Sequence, residues 1–546
     1  MSEGIQRPAA ADPAPGVVEL VASYGAEPRR IRAILARLCT GWAPFGHLVR
    51  ETASPRRAVE RLLDALGDDV ERHGDAVRIR PAARAHYLDL STPQSTPLAD
   101  PLDELVGAHP DLLATLTDLI DEVPPPLAAL DHVAATPVTV LRRALWMSTQ
   151  YELDGAKIVL LGDHDLTSLA VRSLHPRADI TVVDLDERLL AYVDRQAGDT
   201  VRVLHADLRF GLPRAAIGHA DLVFSDPPYT PEGMGLFAAR GIECLANPAH
   251  GRLVLAYGYS ALHPTLGAQV QRELIAQGLV FEALIPAFHR YLGAQAVGSS
   301  ADLYVCRPAA SARKSAVKSR SGRGRTAIYT HGAQSVEATG STSTLRDALA
   351  AAVERHGARL DGGVRGPDWT APLAGADAGA LAMDLAADPG PWLLRALLAR
   401  NARHLALLVP NNHADLANEE GQRQLRELVQ VKYRLRMLRS TPDNAHAVVI
   451  ADLVPTDDLD AAAHAVRIVL SKAHGKLGNV LRDAMIERAG RSGTTLTKNQ
   501  ARARIAEVAA DAGIRDYEIE ARLIDLPRHR VRTVLDALRR CGTTMP

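Results

Sequence analysis

The sequence predicts an α/β protein centred on a doubly wound parallel sheet, and three observations predict it. Between residues 157 and 245 the segments KIVLLGDHDLTSLAV, ITVVDLDERLL, VLHADLRFGLP and DLVFSDPPYTPEGMGLFAARGIECL each open on a short run rich in Val, Ile and Leu. Such runs have the composition of strands buried on both faces. Each run leads into an acidic residue and then into helix-period sequence, and ligands of such sheets bind at the carboxyl ends of the strands. Asp163, Asp165, Asp184, Asp186, Asp207 and Asp226 therefore point at one crevice.

A chain of 546 residues is too long for a single core, so several domains are expected. A net charge of −1 announces no polyanionic or membrane partner. Four scattered cysteines with no CxxC pair argue against a disulfide framework or a zinc site, and no metal is expected. The N-terminus lacks the basic-then-apolar build of a signal peptide, and no run approaches the ~20 apolar residues that span a bilayer. A soluble cytoplasmic protein with no membrane partner is the expectation.

Taken in order, residues 15–90 read as helices followed by a two-strand ribbon turning at Gly74, the pattern of a winged helix. Arg56, Arg57 and Arg61 would face a DNA groove, but Glu51, Glu60, Asp64, Asp68, Asp69 and Glu71 interleave with them, which favours packing or dimer contacts. Residues 101–150 form a helical connector, and 151–308 hold the central sheet. Residues 309–340 continue a basic, Ser/Gly/Ala-rich stretch that carries seven basic and no acidic residues between 307 and 325 and reads as a flexible linker. Residues 341–455 read as strand, helix, strand, helix, strand, with the last helix running through LRELVQVKYRLRML. That order resembles the back half of the core, so a degenerate α/β repeat is expected there. Residues 456–546 are helical. Between 472 and 540 they carry fifteen basic and nine acidic residues, which suits nucleic acid or a partner helix pair.

The loop after the first central strand is Gly162-Asp163-His164-Asp165, where a nucleotide fold would place a glycine-rich phosphate cradle. Two carboxylates repel a phosphate and the carboxylate of S-adenosylmethionine, and attract amines and a sulfonium. Decarboxylated S-adenosylmethionine, a sulfonium with a primary ammonium and no carboxylate, fits that field. Alternatively, Asp163 caps the next helix and Asp165 pairs with a basic residue. Asp184, 22 positions after Gly162, stands where ribose hydroxyls are held, with Asp186 as a second candidate or a helix start. Asp207 is placed to accept from an adenine amino group. Asp226-Pro227-Pro228-Tyr229 ends the fourth strand on a stiff turn. Its carboxylate can orient an amine nucleophile and accept its proton, and Tyr229 can wall the donor or meet a cation through its ring.

The motifs LGDHDLTSLA, VVDLDERL, ADLR..LP and DPPYT…F..RGI, with the upstream TPVTVLRR, are similar to the branched-chain polyamine synthase family, the N4-bis(aminopropyl)spermidine synthases. The resemblance covers about residues 15–308. It implies a Rossmann-like, S-adenosylmethionine methyltransferase-type fold for 151–308, decarboxylated S-adenosylmethionine as co-substrate, and aminopropyl transfer to an amine of a small cationic polyamine. The family's Gly-Asp-Asp-Asp loop falls on Gly162-Asp163-His164-Asp165 and its DPP motif on Asp226-Pro227-Pro228. His164 replaces the middle acid, and Tyr229 stands where many members carry glutamate. Both changes remove negative charge from the side that would hold a polyamine. On this reading Asp226, Asp163, Asp165 and Tyr229 are the catalytic set, while Gly162, Asp163, His164, Asp184, Asp186, Asp207, Pro227 and Pro228 hold the donor.

The rival reading is an S-adenosylmethionine-dependent amino-group methyltransferase, since (S/N/D)-P-P-Y after the fourth strand is that class's motif. Nucleic acid, the less favoured partner, would then meet the winged helix, linker and tail. A third is a winged-helix regulator sensing a polyamine or nucleoside through a retired catalytic fold. A homodimer is expected in the favoured case.

Overall fold

The computed structural model describes residues 12–92, 95, 98–310, 312, 327–333, 335–336, 342–355, 360, 362–369 and 379–541. At the N-terminus, α1 (Pro15–Ser23), α2 (Arg29–Thr40), α3 (Phe45–Thr52) and α4 (Arg56–Leu66) pack with a small antiparallel sheet. That sheet comprises β1 (Ala43–Pro44), β2 (Val70–His73) and β3 (Ala76–Ile79) in the order β1-β3-β2, and α5 (Arg84–Ser91) follows. Ile31, Ile34, Leu35 and Leu38, one stripe of α2, are fully buried in its core. The start of α4 turns toward the central domain rather than outward. Arg56 pairs with Glu60 at 2.7 Å, lies 5.1 Å from the Phe45 ring and reaches Gln295 at 3.4 Å. At Gly298 an added Cβ would lie 2.7 Å from the Ala53 carbonyl oxygen. Arg56 thus has partners within the fold, although 56% of its side chain stays exposed.

Helices α6 (Pro101–Gly107) and α7 (Pro110–Glu122) lead to α8 (Pro137–Gln150). Thr136 caps α8 by accepting the Thr139 N–H at 3.2 Å, and Pro137 opens its first turn, where a missing N–H costs nothing. Its buried face contains Val140, Leu141, Ala144 and Leu145, and also Arg143. An arginine on an apolar face must find its partners inside the protein.

The central sheet has seven strands: β4 (Lys157–Leu161), β5 (Asp179–Asp184), β6 (Val201–His205), β7 (Leu222–Ser225), β8 (Arg252–Tyr257), β9 (Leu279–Arg290) and β10 (Ser300–Pro308). Their order is β6-β5-β4-β7-β8-β10-β9. The first five run parallel and β10 is antiparallel to both of its neighbours. The helices α9 (Thr167–Leu174), α10 (Glu187–Ala197), α11 (Pro231–Cys244) and α12 (Pro264–Ala276) alternate with the strands. This is the doubly wound, methyltransferase-type sheet that the sequence predicts. Strand order reverses between β4 and β7, which opens a crevice at their carboxyl ends.

A second sheet holds β11 (Ala380–Asp384), β12 (His404–Pro410), β13 (Tyr433–Leu438) and β14 (His446–Leu453) in the order β11-β12-β14-β13. One parallel pair and two antiparallel pairs repeat the order and directions of β7-β8-β10-β9. The expected helix through LRELVQVKYRLRML stops at Val429, and Tyr433–Leu438 is a strand instead. Tyr433 is buried and Arg434 exposed, the alternation of a half-buried strand, and Arg436 pairs across to Asp452 at 3.0 Å.

Most of the basic linker lies outside the described residues, but 327–333 do not behave as a tether. Thr230 donates to the Ile328 carbonyl at 2.7 Å, and the Thr330 backbone N–H and hydroxyl donate to Asp131 at 2.7 and 2.6 Å. Several arginines of the C-terminal helices have carboxylate partners within the chain. Arg515 pairs with Asp194 and, at 2.7 Å, with Asp199 of the central domain. Arg528 pairs with Asp415, and Arg530 holds Glu518 at 2.5 Å. Arg515 thereby fastens the C-terminal half to the central domain, while Arg528 and Arg530 tie elements of the C-terminal half to one another. Among the described residues no helix is long and apolar enough to cross a membrane.

Replacing Arg515 with alanine leaves the buried Asp194 with His529 and a more distant Arg530. A loss of about 2–3 kcal/mol in unfolding free energy is expected, below the cost of orphaning a buried charge completely. Denaturant titration of the full chain measures it, and an unchanged midpoint would mean that this contact does not hold the two halves together.

Candidate active site

A cavity of about 440 Å³ opens at the carboxyl ends of β4, β5 and β7. Its walls include Gly162, Asp163, His164, Asp165, Asp184, Asp207 and Asp226 through Tyr229, so the predicted residues converge with one exception. Asp186 does not line it. It caps α10 through the Arg188 N–H at 2.9 Å and grips the Arg188 guanidinium at 2.7 Å, which is the helix-start alternative.

The loop after β4 turns at Gly162, whose φ of 76° favours glycine, and the Gly162 N–H donates to the Val183 carbonyl. Asp163 then caps α9, accepting from the Ser168 N–H at 3.2 Å and from the Ser168 hydroxyl. It is 3% exposed, and burial pushes its carboxyl up to about 8. Asp184 accepts the N–H groups of Asp163 at 3.0 Å and Asp186 at 2.8 Å, and burial raises it to about 6. The His164 ring lies 4.7 Å from that of His132, with its Nε2 3.1 Å from the Pro124 carbonyl oxygen.

Asp165 does not present a free charge to the cavity. It accepts the Ala135 N–H at 2.8 Å and the guanidinium of Arg143 at 2.7 Å. Arg143 is 1% exposed and joins four elements. Nη1 donates to Asp165 and, at 3.3 Å, to Thr167. Nη2 donates to Asp226 at 2.6 Å, and Nε to His289 Nδ1 at 3.1 Å. Asp226 also accepts the Tyr291 hydroxyl at 2.7 Å on one oxygen and the Tyr229 hydroxyl at 3.1 Å on the other. Burial raises the Asp226 carboxyl while Arg143 opposes it, and the net direction is upward. Asp226 keeps 18% of its side chain exposed, more than Asp165 at 8%.

The loop therefore adopts the alternative in which Asp163 caps and Asp165 pairs. With Arg143 between Asp165 and Asp226 and Asp163 largely protonated at neutral pH, its field is weaker than the sequence implies. Asp207 is also engaged already. Arg209 holds both of its oxygens, at 2.9 and 2.5 Å, and the Trp392 indole N–H donates to it at 3.0 Å. That leaves it poorly placed to accept from an adenine.

Tyr229 packs edge-on against Tyr257 with ring centroids 5.5 Å apart, and its hydroxyl lies 2.9 Å from that of Tyr291. Gly258 leaves room for the ring, since a Cβ there would lie 3.0 Å from it. Arg143, Tyr291, His289, His132 and Tyr329 were not singled out from the sequence. Only Arg143 carried a signal, as a charge on the apolar face of the helix that TPVTV opens. Among the described residues, no group of three or more His, Cys, Asp or Glu could hold a metal ion.

Residues 111–308 match the family model of the branched-chain polyamine synthase A C-terminal domain. An uncharacterized protein of Methanocaldococcus jannaschii is 34% identical over 174 residues, covering 31% of this chain and 44% of that protein. The N(4)-bis(aminopropyl)spermidine synthase of Thermococcus kodakarensis is 29% identical over 194 residues, covering 34% and 54%. The enzyme of that name from Thermus thermophilus is 30% identical over 175 residues, covering 31% and 50%. The chain thus spans about half the length of the curated relatives it matches. Residues 111–308, with the Gly162–Asp165 loop and the Asp226-Pro227-Pro228 turn inside them, are thus similar to the C-terminal domain of the branched-chain polyamine synthases.

Proposed function

We propose that this protein is an aminopropyltransferase that moves the aminopropyl group of decarboxylated S-adenosylmethionine to an amine of a polyamine-like acceptor. The observation that carries the reading is the joint presence, in one cavity, of the Gly162–Asp165 loop and the Asp226-Pro227-Pro228 turn, inside the segment matched by the family model. The names of the Thermococcus and Thermus relatives support the substrate class. A cavity of about 440 Å³ suits a nucleoside-sized ligand.

The donor supplies an alkyl carbon bonded to a sulfonium. As the acceptor nitrogen bonds to that carbon, the carbon–sulfur bond breaks and its electron pair stays on sulfur. Asp184, at the end of β5, is the residue for the ribose hydroxyls. Asp163 faces the donor ammonium and ionises to meet it. Asp226 orients the acceptor amine and takes the proton that leaves the nitrogen. Burial raises its carboxyl and so makes it a better base than a surface aspartate. Tyr291 and Tyr229 hold that carboxylate from two sides, and burial keeps both phenols protonated as donors. Asp165 acts through Arg143 as a positioning residue.

Methyl transfer from intact S-adenosylmethionine stays in play because of one observation. Arg143 compensates Asp165, so a donor carboxylate meets less repulsion than the loop's sequence suggests. Calorimetric titration of the full chain with each donor separates the two readings. Preference for the decarboxylated form supports aminopropyl transfer, and preference for the intact form overturns it.

Two further outcomes are expected. A free Asp163 near pKa 8 that ionises against an ammonium must release a proton. At pH 7, titrations in buffers of different protonation enthalpy should therefore show about one proton released per donor bound. Affinity should rise from pH 6 toward 8 and then level off, whereas a flat profile would remove Asp163 from donor contact. Asp226→Asn should keep donor affinity within about twofold and lower turnover by about 100-fold or more, the usual scale of general-base loss. Retained turnover would refute the proton-acceptor role.

A further inference from the structure

The family match ends at residue 308, yet the cavity does not end with it. Ile328, Tyr329, Thr330 and His331 line the cavity as well. They are fastened from both sides. Thr230, at the start of α11, donates to the Ile328 carbonyl at 2.7 Å. Gly233, one turn on, has no side chain to obstruct the segment, since a Cβ there would lie 3.0 Å from the Ile328 oxygen. On the other side Asp131 accepts from the Thr330 N–H and hydroxyl, and Gly332 lies over Ala129, where a Cβ added to the glycine would come within 3.1 Å of the alanine Cβ. The Val336 N–H donates to the Tyr329 carbonyl at 3.0 Å and folds the segment back on itself.

Within this strap Tyr329 is 6% exposed, and the Arg209 guanidinium lies 5.7 Å from its ring centroid. The acids that act on its hydroxyl are Asp207, Asp184 and Asp131. Asp184 and Asp207 stand at the ends of β5 and β6, which is the nucleoside end of the crevice rather than the acceptor end at Asp226. An aromatic ring at that place offers a π-face to a purine, and the cation against the ring helps to fix its orientation.

We infer that Tyr329, carried on residues 327–333, is a specificity-determining residue on the donor side, closing the cavity over the adenine nucleoside. The inference rests on the nucleoside-donor reading of the cavity, but not on which group is transferred. The chain thereby completes its donor site with residues beyond the segment it shares with its relatives. Loss of base–aromatic stacking corresponds to roughly fivefold to a hundredfold in affinity.

The test uses the full chain and 5′-methylthioadenosine as the probe, which needs no turnover. Calorimetry should show Tyr329→Ala weakening its binding about fivefold or more and Tyr329→Phe staying within about threefold of wild type. In the unsubstituted protein, hydrogen exchange of residues 327–333 should slow when the nucleoside is added, a readout that survives misfolding of the alanine variant. Wild-type binding with an unaffected Tyr329→Ala variant, or with no change in exchange, overturns this inference and leaves the donor reading intact. Failure of the wild-type protein to bind the nucleoside overturns both.

Discussion

The buried guanidinium of Arg143 is the interaction on which the site depends. Burying that charge without partners would be prohibitive, so the fold must deliver carboxylates to it. Two come from separate strand ends, Asp165 after β4 and Asp226 after β7, while His289 comes from β9 and Tyr291 from just beyond it. One side chain on α8 thus fixes the connector, the Gly162–Asp165 loop, the Asp-Pro-Pro turn and the antiparallel edge relative to one another. Removing either acid would leave the cation underpaired, at about 3–5 kcal/mol for a buried pair broken on one side. The same pairing subtracts charge from the crevice. What remains to select a ligand is an asymmetry: Asp163 and Asp184, poised to ionise near neutrality, on one side, and the Tyr229–Tyr291–Asp226 cluster on the other.

The C-terminal half packs directly against the loops around the cavity. Its second sheet repeats the order of β7-β8-β10-β9. The Trp392 indole reaches across to Asp207, and Arg395 pairs with Glu187 at the start of α10. Phe210, Trp369 and Trp392 form a three-ring cluster, with the Phe210 centroid 4.4 and 5.7 Å from the two tryptophans. These contacts brace the loop after β6 from outside, and the strap at Tyr329 covers it from above. Asp207 serves as a joint between the halves, which explains why its oxygens are full.

Strand ends, the glycine turn and the Asp-Pro-Pro motif were legible because each is local, a short run of residues whose chemistry is fixed by its neighbours. Asp186 as a cap and the Asp163/Asp165 split were legible only as alternatives. Choosing between them requires knowing whether a cation lies within reach, and the relevant one, Arg143, is 22 positions upstream of Asp165. Tyr433–Leu438 looked helical because it continues an amphipathic helix without a Gly or Pro break, and cross-strand pairing with β14 decided otherwise. The strap was hidden by composition. A basic Ser/Gly-rich stretch leads directly into Ile328-Tyr329-Thr330, and what holds those residues is a pair of distant side chains, Thr230 and Asp131. Among the C-terminal arginines, Arg515 and Arg528 likewise find their carboxylates far away in the sequence, at Asp194 and Asp415.

Identification of the by-product distinguishes aminopropyl from methyl transfer. The full chain is incubated with equal amounts of decarboxylated and intact S-adenosylmethionine and with spermidine, and the nucleosides and amines are identified by mass spectrometry. The account predicts 5′-methylthioadenosine together with a spermidine enlarged by aminopropyl groups. S-adenosylhomocysteine with a methylated amine would contradict it, and so would the recovery of both donors unchanged.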